Sequence, residues 1–266
     1  MRYKRSDRER LRAFSSKSIF NVIIVLGVIA MAFVGVGLLK EELIAASAQI
    51  SYEEVKESAI RDDRKAVNFS VVHSAGSTAT SWLYIPGTQV DYPLVQGADN
   101  DFYLDRDAYG NDSTAGAIFI NFANSSDMSD AKTVIFGHNM ADGSMFTDLH
   151  NYSSKEFGSV HQDAYIYMES GEIKHYKLLY YIFTEPLEPA VYVVSKADTP
   201  DIVNSELKDI AAIKYRDFTG NELICLSTCT MHTRRTVVVF EYVDANSPVV
   251  GSKQYAEHVG DYPTEK

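Results

Sequence analysis

The chain has little cysteine, two residues in 266, and this excludes a disulfide-stapled scaffold. Cys225 and Cys229 sit four apart in a segment patterned as a strand, which separates their Cα atoms by roughly 13 Å. A disulfide needs less than about 7 Å. Both thiols are therefore expected to stay unpaired. No repeat of 20–50 residues is visible, so a solenoid or propeller array is excluded. Acidic groups such as Asp105 and Asp107, or Asp127 and Asp130, lack the spacing of metal ligands and read as solvated loops. No metal or other cofactor is expected.

Basic charge is scarce outside the first seventeen residues. That start holds Arg2, Lys4, Arg5, Arg8, Arg10, Arg12 and Lys17 against Asp7 and Glu9, a net of +5. The remainder has 18 basic against 34 acidic residues, a net of −16. With no basic stripe, nucleic acid is excluded as a partner.

Long apolar runs are also absent, except for one. Ile19 to Leu39 carries no charge and a single polar residue, Asn21. This is enough to cross a bilayer as a helix, which takes roughly 20 residues. The basic flank keeps the short N-terminus cytoplasmic and residues 40–266 outside. A cleaved signal peptide is the rival reading, with Ala46-Ser47-Ala48 as its site. The run is long for a signal core of about 7–15 residues, and Lys40-Glu41-Glu42 separates it from that site. A retained single-pass anchor is therefore expected.

The expected organisation is a basic tail (1–17), an anchor (18–39), a helical stalk (40–80), a β domain (81–246) and a polar C-terminal tail (247–266). Short β-like runs separated by turn residues fill the fourth segment. They are Trp82–Ile85, Val90–Val95, Gly116–Ile120, Thr133–Phe136, Tyr165–Met168, Lys174–Phe183, Ala190–Val194, Leu223–Ser227 and Thr236–Val243. One clear helix interrupts them. Thr199-Pro200 can cap and open it, and Ile202, Val203, Leu207, Ile210 and Ala211 form its apolar face. A shorter helix is expected near Met145–Leu149. The fold class is mainly β, a closed or nearly closed barrel with helical insertions.

The chemistry-bearing residues fall at strand ends. Cys229 ends one apolar run and Arg235 opens the next. If the two runs form a hairpin closed symmetrically over residues 230–234, Cys229 lies opposite Arg235, and directly opposed residues share a face. Arg234 then points the other way. A thiolate is a nucleophile, an imidazole can take and return a proton, and a guanidinium can stabilise an oxyanion. Of seven histidines, His73, His150, His161, His175, His232 and His258 read as structural. His138 follows Gly137 at a sharp strand exit, and spacing alone leaves it open between structural and functional.

The order Gly137-His138-Asn139-Met140, then Leu226-Ser227-Thr228-Cys229-Thr230, then Arg235-Thr236-Val237-Val238-Val239, resembles the sortase family, class B in detail. Trp82 to Gln96, Asp101 to Leu104 and Met145 to Leu149 carry the similarity further, as does the helix before the cysteine strand. The resemblance implies an eight-stranded barrel and a membrane-anchored cysteine transpeptidase of Gram-positive bacteria. It gives Cys229, His138 and Arg235 as catalytic residues and Leu226, Ser227 and Thr228 as substrate-binding ones. The implied partners are exported proteins with a C-terminal sorting motif and an amine acceptor, a peptidoglycan precursor or a pilin lysine. Two features depart from the family. The 230–234 loop is short, and Thr230 stands where some relatives have an acidic residue, leaving no acidic third member of a triad. The alternatives are an L,D-transpeptidase, which expects His-Gly where Ser227-Thr228 stands, and a non-catalytic surface β scaffold.

Overall fold

The computed structural model describes residues 5–61, 64–230, 233–245 and 249. The side chains of Cys229 and Thr230 lie outside the described residues. So do His232 and, Val249 apart, the tail 247–266 with His258.

The chain divides into two compact units, Met1–Ala46 and Ser47–Lys266. Helix α1 (Arg5–Ala59) supplies the first. Within it, Phe20–Lys40 is 21 residues long with mean hydropathy 2.9, and none of that window is buried. At 1.5 Å per residue it reaches about 31 Å, the thickness of a bilayer's hydrocarbon. It is a candidate membrane span by length and composition.

The second unit begins inside α1 at Ser47, where Tyr52 and Ala59 are buried in the core. A two-residue strand pair, Ile60–Arg61 with Ala66–Val67, and helix α2 (Phe69–Ser74) follow. Arg64 grips Asp91 through two nitrogens, at 3.1 and 2.5 Å, and Trp82 Nε1 donates to the same carboxylate at 2.8 Å. These bonds tie the incoming segment to the first strands.

Eight strands make the body: β1 (Ser81–Tyr84), β2 (Asp91–Gln96), β3 (Ile118–Ile120), β4 (Lys132–Phe136), β5 (Asp163–Met168), β6 (Ile173–Thr184), β7 (Leu223–Thr230) and β8 (Arg234–Ala245). Their order is β8-β7-β4-β3-β2-β1-β5-β6, and β6 pairs back on β8. The sheet thus closes into a barrel, and closure leaves no long exposed edge. Ile213–Lys214 adds a short strand beside β6. Two neighbours run parallel, β2 with β3 and β4 with β7; the other barrel pairs are antiparallel.

Alternation along each strand builds two cores from one sheet. Ile135, Leu226, Val238 and Phe240 pack inside with Leu83, Leu94 and Ile166. Their neighbours Val134, Cys225, Val237 and Val239 pack outside, against Val191, Val203 and Leu207. The last two come from the helix Pro200–Ile210, and each fully buried aliphatic side chain contributes roughly 1.5–3 kcal/mol.

Helices α3 (Lys155–Val160), α4 (Pro189–Tyr192) and α5 (Pro200–Ile210) are the insertions. Thr199 caps α5 as expected, accepting from Ile202 N at 3.4 Å, with Pro200 in the first turn. Near Met145–Leu149 the helix is 3-10 in form, over Thr147–Ser153. The expected strand at Ala190–Val194 is corrected: residues 189–192 form α4. Glu188 accepts from Ala190 N at 3.3 Å, and Pro189 opens the turn. Short apolar runs do not separate the two periodicities, and here a cap and a proline decide.

Candidate active site

The parallel pairing of β4 with β7 fixes the site. Phe136 sits beside Ser227, and Gly137 N donates to Ser227 O at 3.2 Å. Both chains then leave the barrel in the same direction, β4 toward His138 and β7 toward Cys229. Across β7, the antiparallel ladder pairs Cys229 with Arg235, the register expected from symmetric closure. It continues to Thr230 with Arg234, so the connecting loop is three residues rather than five.

A cavity of about 340 Å³ opens at this edge. His138, Arg235, Ser227 and Thr228 line it together with Gly137 and Phe136. Asn100, Asp101 and Leu104 form one further wall, and Pro186, Leu187 and Tyr192 another.

The His138 ring is held from outside its own strand. Its Nε2 meets the Leu104 carbonyl oxygen at 2.7 Å, and its backbone oxygen accepts from Phe146 N at 2.9 Å. A glycine makes room for it. Gly116 has φ +60, and a methyl there would stand 2.9 Å from His138 Cδ2. A methyl on Gly137 would run into Ile118 and Phe146.

Arg235 and Arg234 separate as alternation requires. Arg235 lines the cavity, and Nη1 donates to the Arg234 carbonyl oxygen at 3.3 Å. No carboxylate pairs with it among the described residues. Arg234 instead pairs with Glu185 at 2.9 Å and lies over the Phe183 ring at 5.6 Å.

The three residues before Cys229 divide. Ser227 is buried, and its Oγ lies 2.8 Å from the Tyr192 hydroxyl. Thr228 lines the cavity, and its buried Oγ1 has no hydrogen-bond partner among the described residues. Leu226 is fully buried inside the barrel and does not line the cavity. Cys225 is fully buried, and burial pushes its thiol up to about 12. It is a small apolar residue in function.

The other described histidines have partners elsewhere. His73 meets Ala79 O at 3.0 Å, His150 meets Thr236 Oγ1 at 3.0 Å and His175 meets Asp163 at 2.6 Å. Among the described residues no group of three or more His, Cys, Asp or Glu could hold a metal ion.

The Tyr192 wall was hidden in the sequence because Ala190–Val194 read as another strand, and nothing in the sequence singled out Leu187. Nor did the sequence show that Leu104 acts through its carbonyl, which carries no residue-specific signal.

A closed eight-stranded barrel with cysteine, histidine and arginine positions gathered at one strand edge defines the class to which this protein belongs. The Sortase domain family matches residues 83–243, and the chain belongs to the sortase family. Sortase B of Listeria monocytogenes is 33% identical over 168 residues, covering 57% of this chain and 63% of that one. Sortase B of Staphylococcus aureus is 29% identical over 94 residues, covering 35% of this chain and 38% of that one. The chain thus spans less than two thirds of the length of either relative. A solved Bacillus anthracis protein similar to sortase B superposes with TM-score 0.60 at 26% identity, over 77% of this chain and 96% of that one. The structural neighbours are class B sortases, and membership of the family replaces the L,D-transpeptidase alternative.

Proposed function

We propose that this protein is a membrane-anchored class B cysteine transpeptidase that joins exported proteins to an amine at the cell surface. The Cys229 thiolate attacks the carbonyl carbon of the threonine in a C-terminal sorting motif. The scissile C–N bond breaks, His138 gives a proton to the departing amine, and a thioester remains. An incoming amine then attacks the thioester, gives its proton to His138 and releases the thiolate. Arg235 supports the oxyanion in both steps or orients the carbonyl. Thr228 offers at the same cavity a buried hydroxyl that has no hydrogen-bond partner among the described residues.

One observation carries this reading. Parallel pairing of β4 and β7 directs His138 and Cys229 to one barrel edge, where the next ladder sets Arg235 opposite Cys229. Directly paired residues of a ladder project from one face. The proposed donors are exported proteins whose motif is an Asn-Pro- or Pro-containing pentapeptide ending in threonine plus a small or amide residue. The acceptor is a peptidoglycan precursor or a pilin lysine. Phe20–Lys40 is the anchor, with the basic N-terminus inside the cell.

The test uses the full chain in detergent micelles with a library of such peptides and an amine acceptor, read by mass spectrometry. Cys229→Ala is expected to abolish both cleavage and transfer. It should also abolish labelling by a thiol reagent at neutral pH, because Cys225 stays protonated and buried. Transfer that survives in Cys229→Ala would overturn the reading.

A further inference from the structure

Two separate segments grip His138, and both lead to one side chain that the reaction does not use. The first is the 105–117 loop. Leu104 at its entry supplies the carbonyl for Nε2, and Gly116 near its exit gives the ring its space. The second is the turn after His138. There Phe146 N donates to the His138 oxygen, and Asn139 bridges to Met145, whose φ is +56. A positive φ at a methionine is unusual and persists only when its surroundings hold it.

Tyr52 of α1 meets the first segment with its hydroxyl and the second through Tyr92. Its oxygen accepts from Ala108 N at 2.9 Å and donates to Gly116 O at 3.4 Å. Its ring meets Tyr92 edge-on, with centroids 5.3 Å apart at 84°. The Tyr92 hydroxyl in turn accepts from Met145 N at 3.1 Å. Tyr52 is 3% exposed, and burial holds its phenol well above the ordinary range, so the hydroxyl keeps its proton to donate.

We infer that Tyr52, on the helix that leads into the barrel, is a positioning residue for His138. Each segment closes on its own backbone bonds, such as Ala117 N to Tyr103 O at 3.0 Å and Phe146 N to His138 O at 2.9 Å, and Tyr52 ties one segment to the other. Tyr52 bonds both ends of the 105–117 loop and packs on the tyrosine that steadies the Met145 turn. The helical segment Ser47–Ala59 is thereby part of the histidine's mount as well as a connection to the anchor. This inference rests on the proposed role of His138 for its kinetic consequence, but its structural claim can be read independently.

The experiment uses the full chain in detergent micelles with ¹⁵N-labelled histidine, the His138 ring signals being assigned with His138→Ala. Tyr52→Phe keeps the ring on Tyr92 and removes only the hydroxyl. It is expected to shift the His138 ring-nitrogen resonances. It should also lower kcat for peptide transfer roughly three- to ten-fold with KM unchanged, the effect of one hydrogen bond. Tyr92→Phe is expected to move the same resonances through the other segment. Val55→Ala trims packing of the same helix, lowers thermal stability and should leave the His138 signals in place. Unmoved His138 resonances in both Tyr52→Phe and Tyr92→Phe would overturn the inference. If His138→Ala itself retained full transfer, the catalytic role would fail, and the resonances would still decide whether Tyr52 mounts the ring.

Discussion

Replacing Gly116 by alanine tests the histidine seat most directly. The residue has φ +60, in the left-handed region, where a Cβ costs about 1–2 kcal/mol. The new methyl would also lie 2.7 Å from Tyr103 O, 2.8 Å from Leu104 O and 2.9 Å from His138 Cδ2. Ordinary contact begins at 3.4 Å, so these groups must retreat by about 0.5–0.7 Å. Two of the three are backbone carbonyls, which cannot rotate away. Overpacking of this kind adds roughly 1–3 kcal/mol. Gly116→Ala should therefore lose about 2–5 kcal/mol, a large share of the ~5–15 kcal/mol that holds a domain together. The Leu104 oxygen is also the acceptor for His138 Nε2, so relief of the clash moves the imidazole and its anchor together. A misplacement approaching 1 Å can cost on the order of 100-fold in rate, and kcat should fall at least ten-fold. Urea denaturation, followed through the single tryptophan Trp82, reports the first quantity. Peptide transfer under conditions where the variant is fully folded reports the second. Wild-type stability with wild-type kcat would refute the reasoning.

The two neighbouring arginines should behave oppositely. Arg235→Lys is expected to lower kcat/KM by roughly 100- to 1,000-fold, since an ammonium lacks the planar fork of donors. Arg234→Ala loses an exposed pair with Glu185, worth less than about 1 kcal/mol, and its place over the Phe183 ring, and should stay within about two-fold of wild type. The reverse ranking would show that the β7–β8 register is misassigned by one residue. His161 supplies a pH dependence. Its ring stacks on Phe157 with centroids 3.8 Å apart, and burial holds its pKa below the ordinary 6.5. The unfolded chain then binds more protons between the folded value and 6.5. This contribution to stability is complete above that window and is lost as pH falls through it. The urea midpoint should therefore drop from pH 7.5 to 5.5, and His161→Gln should reduce that drop; an identical drop in both proteins would count against it.

Much of the fold was legible because its signals are local. Alternation in Leu223–Ser227 and Thr236–Val243 marks strands with two covered faces, and the Thr199-Pro200 start marks α5. The 190–194 segment misled for the same reason: four or five apolar residues fit either period, and the deciding Glu188 cap is a side-chain bond. In the site, Arg235 could be separated from Arg234 because parity is a property of neighbours in sequence. His138 could not be chosen from residues alone, since its claim rests on which strand lies beside β7.

The sequence by itself determined the quantities that local order carries. These are an apolar run long enough for a membrane, two thiols too far apart to join, the strand periodicities and the order of His138, Cys229 and Arg235. Tertiary structure alone decided that β4 lies parallel to β7, which gathers residues distant in the chain at one edge. It also decided that Leu226 belongs to the core while Tyr192 and Leu187 wall the cavity. Only the folded chain brings Tyr52 beneath the loops that hold His138. The physical reason is that these contacts run through backbone carbonyls, glycine clearances and nonlocal pairing, none of which leaves a pattern along the chain.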